Sequence, residues 1–164
     1  MSDLVVRDAT LDDAAAIQRI YAPYVRDTTI SFELEPPTLE QMAARIEKAL
    51  RGWAWLVAEV QGAVVGYAYA SQHRERAAYA PSVDVAVYLE PGAHRRGLGR
   101  ALYGELFARL KAQGRHMAFA GIAQPNEASV RLHQALGFTL VGTYREVGFK
   151  FGRYLDVSWW QRPV

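Results

Sequence analysis

Chemistry is most concentrated between Val83 and Arg100. The stretch Pro91-Gly92-Ala93-His94-Arg95-Arg96-Gly97-Leu98-Gly99-Arg100 is rich in arginine, and no acidic residue falls between Glu90 and Glu105. Gly97 and Gly99 permit backbone conformations closed to other residues and let a ligand approach closely. Leu102, Leu106 and Leu110 mark a helix that starts directly afterwards, and its first turn offers free N–H groups and the positive end of a dipole. Glycine, arginine and a helix start together make a site for pyrophosphate; they equally describe a glycine turn with solvated arginines. Just upstream, Asp84 interrupts Val83, Val85 and Val87. Strand alternation turns its carboxylate away from those valines, either as an exposed or hairpin-paired residue or as a group placed to exchange a proton. Arg74 and Arg76, with Tyr79 nearby, lie one residue apart in a polar segment. From an extended chain they can point the same way and grip an anion, or they stay solvated beside Glu75. His133 falls among Val130, Leu132 and Leu136, where a helix histidine is either structural or chemical.

Other chemistries are excluded. A Rossmann fingerprint needs a third glycine where Leu102 stands, and a nucleotide-binding P-loop needs Gly-Lys-Ser/Thr, which does not occur. The cysteine count is 0, which removes thiol nucleophiles, iron–sulfur clusters and thiolate zinc sites. We expect no metal. Net charge is +2 from 19 basic and 17 acidic residues, and 16 of the basic ones are arginine. No basic block is interleaved with aromatics, so nucleic acid is not an expected partner. No apolar run approaches the roughly 18–20 residues of a membrane helix. The start, Met1-Ser2-Asp3-Leu4, lacks the basic-then-apolar order of a secretion signal. A cytoplasmic single domain over 1–164 is the expectation, and 164 residues suffice to bury a core without disulfides.

These residues need elements to position them. Leu4–Arg7 reads as a strand. Thr10 precedes Asp13 and the helical series Ile17, Ile20, Tyr21 and Tyr24. Pro36-Pro37 interrupts regular structure, and Thr38-Leu39-Glu40-Gln41 is a capping box for a second helix reaching about Gly52. Trp53–Val60 and Ala63–Ala70 flank a Gln61-Gly62 turn as a hairpin. Val83–Leu89 is a strand, the helix after Gly97 ends at Gly114, and His116–Ile122 is a strand. Asn126 caps a fourth helix stopped by Gly137, and Phe138–Val147 and Tyr154–Gln161 are the last strands. The order predicts an α/β (α+β) domain with a mixed sheet of about seven strands and four helices on its faces.

Gly97-Leu98-Gly99 after an arginine pair, with Asn126-Glu127-Ala128-Ser129 ahead of His133-Gln134-Ala135-Leu136-Gly137-Phe138, resembles the GCN5-related N-acetyltransferase (GNAT) superfamily. Ile30-Ser31-Phe32-Glu33, Val87-Tyr88-Leu89, Gly148-Phe149-Lys150 and Trp159-Trp160-Gln161 narrow the resemblance to its phosphinothricin acetyltransferase-like subfamily. It spans essentially the whole chain and implies that fold, with a mostly antiparallel sheet. It further implies acetyl-CoA as co-substrate, held by Arg95, Arg96, Gly97, Leu98, Gly99 and Arg100. The backbone of Val87, Tyr88 and Leu89 would pair with pantetheine as an added strand does, with Asn126 and Ser129 on the other side. His94 departs from the Gln or Arg that opens this loop in the superfamily.

The resemblance also assigns roles. Asp84 stands where the subfamily carries a catalytic glutamate and would accept the amine's proton, directly or through water, being one methylene shorter. His133 would be the second proton-handling group. Phe32, Arg74, Arg76 and Tyr79 would line the substrate side. The implied reaction is acetylation of the α-amine of a small amino-acid-like compound, with phosphinothricin, methionine sulfoximine or sulfone, and arsinothricin as candidates, by a homodimer. Acetylation of a peptide or protein amine, or acyl-CoA binding without catalysis, are the rival readings.

Overall fold

The computed structural model describes residues 3–93 and 97–164. Seven strands form one sheet: β1 (Leu4–Asp8), β2 (Ala54–Val60), β3 (Ala63–Gln72), β4 (Ser82–Leu89), β5 (Met117–Ala123), β6 (Thr139–Lys150) and β7 (Arg153–Pro163), in the spatial order β1-β2-β3-β4-β5-β7-β6. Four helices flank it: α1 (Ala14–Asp27), α2 (Leu39–Gly52), α3 (Leu98–Ala112) and α4 (Glu127–Ala135). The expected GNAT architecture is therefore present. Among the described residues no helix is long and apolar enough to cross a membrane.

Local chemistry explains the boundaries. The Thr38 hydroxyl accepts from the Gln41 amide at 3.1 Å while the Gln41 side chain accepts from the Thr38 amide at 2.9 Å, so two free donors at the start of α2 are satisfied reciprocally. Gln61 and Gly62 both have positive φ, 52° and 79°, as a tight hairpin of this twist requires. The β6–β7 hairpin turns in the same way at Phe151 and Gly152, with φ of 52° and 73°. Phe-Gly carries none of the Asn-Gly signal, and both strands consequently run longer than their sequences suggest.

The sheet separates two cores. On one face, Leu102, Leu106 and Leu110 of α3 pack against Leu56, Ala68, Val83, Val85 and Ala118, with Leu132 of α4 and Leu136 just after it at the margin. On the other, Ile17, Ile20 and Val25 of α1 and Met42 and Ile46 of α2 cover Trp55, Val57 and Tyr67. Because α1 and α2 cover β2 and β3, the same face of β5, β7 and β6 is left to form a cleft.

Among the described residues the one parallel pairing lies at the centre. β4 and β5 pair only through Ser82↔Met117, Val83↔Ala118 and Asp84↔Phe119, whereas β4 pairs with β3 along its whole length. Past Asp84 the two central strands diverge.

Candidate active site

The divergence leaves backbone groups to account for. The Glu90 amide donates to the Val65 carbonyl at 2.8 Å, and the β3–β4 register alternates from there. The backbone of Ala86 and Tyr88 is thereby turned toward β3, and that of Val85, Val87 and Leu89 toward the gap. Leu89's carbonyl accepts from the Tyr24 hydroxyl. The gap is lined by Val85, Val87, Tyr88, Gly121, Ala123, Asn126, Ser129 and His133 among others. An extended, amide-bearing chain laid here would complete the β4 ladder, which is the fit expected of a pantetheine arm. Tyr88 enters differently from the sequence expectation: its backbone belongs to β3, and it is the ring, packed on Tyr21, Tyr24 and Tyr67, that lines the cleft.

Asp84 stands at the last paired position, its side chain 29% exposed. Its Oδ1 lies 2.6 Å from Nδ1 of His73, which arrives at the end of β3 through the pairing of Ser71 with Asp84. Burial pushes the Asp84 carboxyl above its usual range, with the His73 bond opposing. The His73 ring stacks on Phe119 at 4.4 Å and meets Tyr79 and Trp159 edge-on. It opens on a cleft of about 370 Å³ shared with Arg74, Gly142, Tyr144 and Trp159. The chain does not continue extended: it bends at His73, Glu75 and Arg76 and enters a 3-10 turn at Ala77–Tyr79. Arg74 therefore lines the cleft while donating to the His73 carbonyl at 2.8 Å, and Arg76 is exposed at the start of the turn. The alternation that would have aimed both guanidinium groups at one anion is broken by the bend.

His133 lies across the sheet, 3% exposed. Its Nδ1 is 2.7 Å from the Ser129 carbonyl and its Nε2 2.9 Å from the Tyr103 hydroxyl. A carbonyl only accepts, so Nδ1 carries the proton and Nε2 accepts from tyrosine. Burial lowers the pKa of the ring. A stored proton, as a general acid needs, is thus disfavoured at this position. Asn126 caps α4, its oxygen accepting from the Ser129 amide at 3.2 Å.

Phe32 is positioned from below. A Cβ on Gly148 would fall 2.2 Å from the Phe32 ring, so glycine is what lets the ring lie on β6. The Lys150 ammonium, 3% exposed, donates to the carbonyls of Val25 and Ser31 at 2.7 Å each. Arg45 grips Glu33 through both oxygens, at 2.6 and 2.8 Å, and Tyr21 donates to the same carboxylate, which holds it below its usual range. Two motifs far apart in sequence, Ile30–Glu33 and Gly148–Lys150, are therefore one structural unit. Between Tyr144 and Gly148 the β6–β7 ladder skips a register, and such a bulge re-aims side chains. Tyr144 and Val147 then join Phe32, Tyr88 and Trp159 around a cleft of about 600 Å³, and Tyr144 and Trp159 also line the one beside His73.

In the glycine loop, Gly97 has φ of 72° and precedes α3, with no acidic residue in the first turn. Leu98 is buried in the core and Arg100 is exposed. At Gly99 a Cβ would meet Leu132 at 3.0 Å, so its smallness also serves α3–α4 packing. Arg95 and Arg96, with His94, lie outside the described residues. Sequence reasoning missed His73, Tyr103, Gly148's packing role and the Lys150 clamp. The only available signal was the pairing of motifs that the resemblance had already singled out.

Comparison with known proteins agrees with this geometry. Residues 6–159 match the acetyltransferase (GNAT) domain family. The chain is 44% identical over 167 residues to the phosphinothricin N-acetyltransferase of Streptomyces coelicolor, covering 99% of this chain and 98% of that one. It is 36% identical to the L-methionine sulfoximine/L-methionine sulfone acetyltransferase of Salmonella typhimurium, over 96% of this chain and 93% of the other. The crystal structure of a GNAT superfamily phosphinothricin acetyltransferase from Sinorhizobium meliloti, in complex with acetyl-CoA, superposes with a TM-score of 0.94 at 40% identity, covering 99% of this chain and 89% of that one.

Proposed function

Because the chain belongs to the GNAT acetyltransferases and is an acetyl-CoA-dependent N-acetyltransferase, we propose that its substrate is a small amino-acid-like compound of the phosphinothricin, methionine sulfoximine or sulfone, or arsinothricin class, acetylated on its α-amine. The observation that carries this is the pair of Asp84 and His73 at the point where β4 and β5 part, with His73 and Arg74 lining a cleft that shares Tyr144 and Trp159 with the aromatic-walled cleft beside it. Acetyl-CoA supplies the activated acetyl thioester. The amine attacks it directly, with the Asp84 site taking the proton an ammonium must lose first. The amide N–H of Val87, turned to the gap, polarises the carbonyl under attack. Arg74 meets an acid group of the substrate, and Phe32 and Trp159 its carbon chain.

Across the sheet, His133 handles a proton only as a neutral acceptor. Nδ1 is committed to Ser129, so taking up a proton on Nε2 reverses the bond to Tyr103, whose hydroxyl must then accept and turn its own proton away.

The protein acts as a homodimer in this reading. Phe138 and Trp160 fill the monomer's core, but Tyr144, Val147, Phe149, Phe151 and Tyr154 are each more than half exposed on the β6–β7 hairpin, beside the cleft that a second subunit would help to close.

A panel of amines scored by CoA release tests the substrate. Phosphinothricin and methionine sulfone should turn over, and neutral amines should not. Turnover of peptide amines alone, or acetyl-CoA binding with no turnover of any amine, refutes the reading. Light scattering should return a dimer mass at micromolar concentration.

A further inference from the structure

The geometry points to His73 as the catalytic residue that takes the amine's proton, with Asp84 holding its ring; this rests on the acetyl transfer proposed above and replaces a lone carboxylate with a dyad. Four contacts fix the imidazole. Phe119 stacks on its plane, Tyr79 and Trp159 meet it edge-on, and Asp84 holds Nδ1 at 2.6 Å. A carboxylate accepts, so the neutral ring carries its proton on Nδ1 and leaves the lone pair on Nε2. No described protein group bonds Nε2, and the ring lines the cleft that Arg74, Tyr144 and Trp159 share. An aspartate that orients a histidine and stabilises the imidazolium is how a weak base becomes an effective one.

The step balances. The ammonium N–H bond breaks with its electron pair left on nitrogen, and the proton bonds Nε2, giving an imidazolium paired with the Asp84 carboxylate. The amine's pair forms the C–N bond to the thioester carbon. The C–S bond then breaks, and sulfur leaves with that pair and takes the second amine proton as the thiol. Imidazolium returns its proton to water.

Few titratable or charged groups surround this ring. Asp84 faces it from β4, Arg74 and Tyr79 from its own connection, and Tyr144 from β6. The elements β5 and β7 present Phe119 and Trp159, which do not titrate.

His73→Phe keeps a ring on Phe119 and removes both nitrogens. Its kcat should fall by about 10²–10⁴-fold, while acetyl-CoA affinity by calorimetry should hold. A variant within a few-fold of the parent overturns the assignment. Nitrogen NMR of the parent gives a test independent of turnover. The neutral His73 ring should be the Nδ1–H form; an Nε2–H form overturns the dyad. If the parent acetylates no small amine, the functional reading fails, and the NMR result still judges the dyad.

Discussion

His73 and His133 flank the same opening in the sheet from its two faces, and their surroundings make them opposite kinds of base. His73 has a carboxylate on one nitrogen, aromatic rings around it and a cleft before the other. His133 has a carbonyl on one nitrogen, a tyrosine hydroxyl on the other and burial that disfavours its charge. One ring can gain a proton without losing a bond. The other must reverse its bond to Tyr103, leaving the tyrosine proton without its buried acceptor, at about 1–3 kcal/mol for the group left unsatisfied. Proton uptake therefore belongs on the amine side. The position that family resemblance marks for chemistry, His133, is the more constrained of the two.

The sharpest way to break this contrast is Asp84→Asn. The amide cannot stabilise an imidazolium and can hold the ring in the wrong tautomer, so kcat should drop by on the order of 10⁴-fold with KM little changed. Near-normal turnover in stopped-flow CoA release means that water held by other groups is the base. Asp84→Glu probes the same contact from the other direction. With His73 already 2.6 Å away, an added methylene pushes the carboxylate into the ring, and the rate should fall where a bare carboxylate base would keep it.

The contrast also shows where sequence reading stopped. Thr38–Gln41, Gln61-Gly62 and Asn126 are local signals, each readable within a few residues, and the elements they bound occur as expected. The alternation of Val83, Asp84 and Val85 likewise put the carboxylate on the correct face, because one strand is enough to decide that. The partner of Asp84 was not legible. His73 lies 11 residues away in a polar stretch, and it reaches the carboxylate only because β3 and β4 pair in the register Ser71↔Asp84. Phe32 on Gly148 and Lys150 beneath Ser31 depend on contacts more than 100 residues apart in sequence. The extended reading of Arg74–Arg76 failed for a local reason, the 3-10 turn that begins there.

That turn gives a smaller prediction. Arg74 lines the cleft while Arg76 is exposed at the start of the turn and is not among the lining residues, so the two should separate in kinetics. Arg74→Ala should raise KM for acid-bearing amino acids roughly tenfold, about 1.4 kcal/mol, with acetyl-CoA affinity unchanged. Arg76→Ala should stay within about twofold. Equal, large losses in both variants mean that the segment rearranges to let the two arginines grip one anion together.

The smallest effect concerns stability and tests the other histidine. The folded pKa of His133 is depressed by burial, while the unfolded side chain titrates near its usual value of about 6.5. As pH falls through that value the unfolded chain binds the proton first, so ν_U exceeds ν_N and the folded state loses stability on acidification. The contribution is fully present above about pH 6.5 and declines below it, at no more than about 1.4 kcal/mol per pH unit. His133→Gln removes the titration whatever it does to absolute stability, so the slope is what to compare. Urea midpoints measured between pH 7.5 and 5.5 should fall less steeply for the variant than for the parent. Parallel slopes would mean that His133 takes up its proton in the folded state as readily as in the unfolded one, and the distinction between the two histidines would be lost.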